Sequence, residues 1–104
     1  MTIYFEITSK LNIKIHITAV YWEFIITVKH PSMNGLENLV KKTLEEPDEI
    51  RRSIKDKSVF VYYKKEGRHS IAVICKHLNG QGYIITTYKT DRIKIGEQVW
   101  KRQE

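Results

Sequence analysis

The sequence predicts an α+β domain in which one or two helices near the N-terminus lie on one face of an antiparallel meander built by the C-terminal half. Two observations predict it. Leu36, Leu39, Val40, Thr43 and Leu44 recur at helical spacing, and they stop before Pro47, which no helix interior tolerates. Beyond Pro47 the chain turns into short β-rich runs separated by turn signals, and consecutive strands with short loops make a meander the economical topology. A chain of 104 residues holds one core, so residues 1–104 read as a single domain.

In chain order, residues 2–8 (TIYFEIT) read as a strand from their β-branched and aromatic content, and Lys10 to Asn12 as a turn. A second strand follows at 13–17, with Ile13, Ile15 and Ile17 on one face and His16 toward solvent. Residues 19–29 fit two patterns. Val20, Trp22, Phe24, Ile26 and Val28 alternate as in a strand, whereas Tyr21, Phe24, Ile25 and Val28 fall at helical spacing behind a Thr18 N-cap. Alternation and β-propensity favour the strand slightly. Asn34 and Glu37 form a capping box for the next helix. After Pro47 come strands at Ile50 to Ser53 and Val59 to Tyr63, a hairpin loop around Gly67, and an apolar central strand from Ser70 to His77. Asn79 to Gly82 is the strongest hairpin signal, Tyr83 to Thr90 the returning strand, and Lys94 to Arg102 a short terminal helix that packs Trp100 onto the body.

Composition is that of a globular protein, with 41% apolar and 29% charged residues. No apolar run is long enough to span a bilayer and no export signal opens the chain, so a soluble cytoplasmic protein is expected. The single cysteine, Cys75, lies mid-strand as a core thiol and fits a reducing compartment. The net charge of +6 resides entirely in residues 48–104, because residues 1–47 carry five lysines against five acids. That asymmetry suits a polyanion such as nucleic acid, and equally a solvated lysine-rich surface.

The four histidines lack metal-ligand spacing, the five glycines match no phosphate loop, and no hydrolase nucleophile motif occurs, so neither metal nor cofactor is expected. What remains suits cleavage of RNA by internal attack, which needs a base for the 2′-hydroxyl, cations for the phosphorane and an acid for the leaving oxygen. Pro31 imposes an extended or turn conformation on His30 and so presents its ring at the tip of an element, as base or acid. Arg51 and Arg52 offer phosphate binding, although strand neighbours point to opposite faces and only one reaches the face of His30. Thr86 and Tyr88 share one face of the last strand and bring hydroxyls, with Thr87 and Lys89 on the other. Tyr62 and Tyr63 could stack on bases, and Lys57 and Lys89 add positive charge. Each has a plainer reading: His30 ends a helix, Arg51 and Arg52 pair with Asp48 and Glu49, and the threonines are ordinary strand residues.

The order W-E-x-I, H-P-x-M-x-G-L-E, L-x-x-P-D-x-I-R-R-S, V-x-x-Y-Y and G-Y-I-I-T-T-Y-x-T-D-x-I-K-x-G-E-x-x-W resembles the phage-type branch of the barnase/EndoU/colicin/RelE-like (BECR) nuclease superfamily. It covers nearly the whole chain beyond the first dozen residues. The resemblance implies two N-terminal helices packed on a roughly four-stranded antiparallel sheet, here with an N-terminal β-hairpin and a short C-terminal helix, and it makes residues 19–29 the first helix. It implies a metal-independent endoribonuclease of toxin or phage type, with RNA as substrate and an antitoxin or immunity protein as partner. His30 is then the helix-end histidine, Arg51 or Arg52 the basic residue and Thr86 the hydroxyl on the last strand. Relatives often carry a histidine in the W-E-x-I segment where this chain has Phe24. That departure opens a second reading, a catalytically impaired domain of the same fold that binds RNA or protein. A third is a domain that self-associates through an exposed strand edge.

Overall fold

The computed structural model describes residues 2–93 and 96–103. Two strands open the chain, β1 (Ile3–Thr8) and β2 (Lys14–Thr18), paired antiparallel. Helix α1 (Ala19–Phe24) follows, begun by Thr18, whose hydroxyl accepts from the Tyr21 amide at 3.2 Å. It runs on into a π-helical turn (Ile25–Lys29) that closes with His30 N–H donating to the Ile25 carbonyl at 2.7 Å. Residues 19–29 are therefore helical, and the strand alternation there does not form. A 3-10 turn (Pro31–Met33) leads to α2 (Glu37–Glu45), which stops ahead of Pro47.

The Asn34 capping box is not made. The helix starts after Leu36 with no side-chain cap, and the Glu37 carboxylate instead accepts the Tyr4 hydroxyl at 2.6 Å. The stripe of α2 still points inward, with Val40, Thr43 and Leu44 fully buried. Thr43 satisfies its hydroxyl on the Leu39 carbonyl at 2.8 Å.

Four strands then meander: β3 (Glu49–Arg52), β4 (Val59–Glu66), β5 (His69–Leu78) and β6 (Gln81–Thr90). The tight β5–β6 hairpin has Asn79 at φ 44° and Gly80 at φ 86°, the twin left-handed residues that an Asn-Gly turn supplies. The expectation of two helices on a four-stranded antiparallel sheet is overturned at both ends of this meander. At one end β2 joins β6 in parallel, through Lys14 to His16 against Gln81 to Tyr83. At the other, the expected C-terminal helix is a strand, β7 (Glu97–Lys101), antiparallel to β3; Lys94 and Ile95, at the start of that expected helix, lie outside the described residues. Among the described residues the result is one mixed seven-stranded sheet in the order β1-β2-β6-β5-β4-β3-β7.

Both helices lie on one face of this sheet. Trp22, Ile25, Met33, Val40 and Leu44 pack there on Ile15, Ile50, Tyr62, Ile71, Val73, Cys75 and Ile84. Trp100 joins from β7 rather than from a helix. The opposite face carries a smaller cluster of Val61, Tyr63 and Ala72, flanked by Ile74 and Tyr88. Among the described residues no helix is long and apolar enough to cross a membrane.

Candidate functional site

Pairing across the meander decides which residues share the helix-free face, because directly paired residues point the same way. Thr86 pairs with Ile74, Ile74 with Val61, and Val61 with Arg51. One row further on, Tyr88, Ala72 and Tyr63 are joined in the same way. Thr86, Tyr88 and Arg51 thus share the helix-free face. Arg52 instead pairs with Phe60 and through it with Cys75, on the helix side. Sequence alternation left the choice between the arginines open, with Arg52 expected at the centre of the site beside His30 and Thr86; the register instead puts Arg51, and not Arg52, on the face of Thr86 and Tyr88.

His30 reaches this arrangement from the end of the π-helical turn. Its ring stacks on Tyr88 with centroids 5.3 Å apart and planes inclined by 23°. Partial burial, and secondarily the ammonium of Lys29, lower its pKa below the usual histidine value. The neutral imidazole therefore dominates at neutral pH. Lys29 was not singled out from sequence, although its position beside a proline-fixed histidine was readable there.

The other assigned side chains are engaged or covered. Arg51 donates to the Glu49 carboxylate and, at 3.1 Å, to the Gly96 carbonyl. Arg52 is ion-paired with Glu97, its Nε 2.9 Å from that carboxylate. The plainer pairing expectation thus holds for Arg51 with Glu49, while Arg52 finds a partner on β7 instead. The Thr86 hydroxyl is buried and has no hydrogen-bond partner among the described residues. Tyr62 and Tyr63 are 0% and 1% exposed, so neither offers a ring face for a base. Their burial corrects the expectation of stacking: β4 is covered on both faces, by the helices over Tyr62 and by the small cluster around Tyr63. Lys57 and Lys89 are exposed, Lys57 beyond the end of β3 and Lys89 opposite Ile71 on β5, on the helix side. Phe24 is 43% exposed, its ring 5.9 Å from that of Tyr21.

A residue that sequence reading set aside stands out here. His16 does not simply face solvent: on β2 it lies opposite Tyr83 of β6, ring centroids 6.4 Å apart, and lines a hollow at the β2–β6 seam that Tyr21 of α1 also walls. The signal could not be read locally, because it depends on parallel pairing between segments nearly seventy residues apart. Cys75 is fully buried, and burial pushes its thiol well above the usual range, as expected of a core residue. Among the described residues, no group of three or more His, Cys, Asp or Glu side chains could hold a metal ion. No family model matches the chain, and neither a curated protein nor a solved structure matches it.

Proposed function

We propose that this protein acts on RNA as a small metal-independent endoribonuclease of toxin or phage type, with His30 as the proton-transferring group. The observation that carries the reading is the stack of His30 on Tyr88 at the edge of the helix-free sheet face. Stacking fixes the imidazole plane, and its lowered pKa keeps a basic nitrogen ready to take a 2′-hydroxyl proton at neutral pH. Lys29 supplies a cation beside it for the phosphate. Charge points the same way, since all of the +6 lies in the half of the chain that builds most of the sheet.

The test is cleavage of a panel of transfer and messenger RNAs in EDTA. The expected products carry cyclic or 2′/3′-phosphate ends, and His30→Ala abolishes their formation, a loss of at least about 100-fold for removal of a general base. Intact RNA after prolonged incubation with folded protein refutes catalysis. A second reading, a catalytically impaired domain that binds RNA or protein, is favoured by one specific observation: Arg51 and Arg52 are ion-paired and the Thr86 hydroxyl is covered. Salt-sensitive RNA binding without cleavage is its signature.

A further inference from the structure

The hollow beside His16 is lined by ten residues and encloses about 530 Å³, within the roughly 300–1,000 Å³ typical of small-molecule sites. It sits where β2 meets β6 in parallel. The rings of His16 and Tyr83 stand on paired positions at one side, and Tyr83 is 39% exposed. Tyr21 walls another side, held by its hydroxyl donating to the Ile85 carbonyl at 2.6 Å. Ile85 is the unpaired residue of a bulge, where the β5–β6 register shifts between Ile74 and Cys75. Beside Tyr83, on its paired position of β5, Lys76 donates to Asp56 at 2.9 Å, and the other Asp56 oxygen accepts the Ser58 hydroxyl at 2.6 Å. Asp56 takes one of three ammonium donors, which leaves Lys76 able to engage a second anion.

Aromatic faces beside an anchored ammonium suit a flat heterocycle joined to an anionic group. We propose that this hollow is a nucleobase subsite for single-stranded RNA, in which a base stacks on Tyr83 and the adjoining phosphate meets Lys76. The proposal rests on the reading of the protein as RNA-directed and adds where a base is gripped. Tyr83 and Tyr88 are five residues apart on β6, about 16 Å along a strand, and both face away from the helices. A few nucleotides laid along β6, the span a small single-strand-binding fold covers, would pass from this subsite to His30.

The experiment uses the full chain with homopolymeric 2′-O-methyl oligonucleotides about eight nucleotides long, which bind but lack the attacking hydroxyl. Affinity is read by fluorescence anisotropy at fixed salt, and cleavage of ordinary RNA is followed in parallel. Tyr83→Ala is expected to weaken binding by about 5- to 100-fold, the usual loss of one stacked base, while Tyr83→Phe retains it. In cleavage assays Tyr83→Ala raises KM with little change in kcat. If the parent binds oligonucleotides and Tyr83→Ala binds equally well, the subsite is overturned while the RNA reading stands. If the parent neither binds nor cleaves RNA, both fall. Binding lost in Tyr83→Ala without cleavage by the parent supports the subsite and refutes the nuclease. Mononucleotides that bind as tightly as oligonucleotides overturn an RNA strand as the source of the base.

Discussion

At the scale of single residues, burial decides which groups titrate. The ring of His77 stacks on Phe60 with centroids 4.0 Å apart, and its Nε2 lies 3.1 Å from the Tyr62 hydroxyl, which donates to Ser9 at 2.8 Å. Burial lowers its pKa to about 4, below the roughly 6.5 of an unfolded histidine. Between those values the unfolded chain binds the extra proton, so stability falls as pH drops from about 6.5 toward 4. Because the ring is only half-buried, the loss is discounted to roughly 1–2 kcal/mol. Urea melts at pH 7 and pH 5 should show it, and His77→Phe should remove most of the difference. His30 gives a kinetic counterpart. With its pKa lowered, the acid limb of the cleavage profile is expected below the ordinary histidine value, and a limb above pH 6.5 contradicts its assignment as base. Thr86 separates structure from chemistry. Its buried, unpartnered hydroxyl costs stability, so Thr86→Val is expected to be neutral or stabilising by up to about 1–2 kcal/mol in thermal melts. Loss of cleavage in that stabilised variant would establish a catalytic hydroxyl. The His30 position was legible because Pro31 constrains it locally. The burial of Tyr62 and Tyr63 was not, since alternation within β4 does not reveal that both its faces are covered.

At the scale of elements, local signals were read where local chemistry dictates the outcome. The Asn79-Gly80 turn supplies its own left-handed residues, and Thr18 caps α1 through its own hydroxyl. The π-helical turn, the parallel β2–β6 seam and strand β7 carry no comparable local mark. Residues 97–101 contain Val99 and Trp100 at spacings that serve a strand or a helical turn equally, and only the open edge of β3 selects the strand. Gly82 borders the seam, pairing with Ile15 on one side and His77 on the other, and it is the β5 side that requires a glycine. A Cβ there would lie 2.1 Å from the Lys76 carbonyl, a backbone atom with nowhere to go. Gly82→Ala is therefore expected to destabilise the protein by about 2–3 kcal/mol, a fall on the order of 10 °C in Tm, measurable by calorimetry. An unchanged Tm would mean that the close approach of β5 and β6 at this point is not required.

At the scale of the whole molecule, the sheet gathers residues that the chain keeps far apart, and residues 48–104 carry all of the net charge of +6. If RNA lies along β6, three or four neutralised phosphates give a slope of log affinity against log salt of about −2 to −3. Affinity independent of ionic strength would contradict a phosphate-led interface. Mixed topology is what sequence analysis could not supply, because the terminal segments attach to opposite flanks of a meander that looked self-sufficient. One consequence of the strand order concerns assembly. The sheet ends in two different strands, β1 on one side and β7 on the other. Copies joined by β1 of one against β7 of the next would meet head to tail, a heterologous contact that repeats without closing. Polymerisation by that route would yield open-ended filaments, whose length grows with concentration, rather than a discrete dimer.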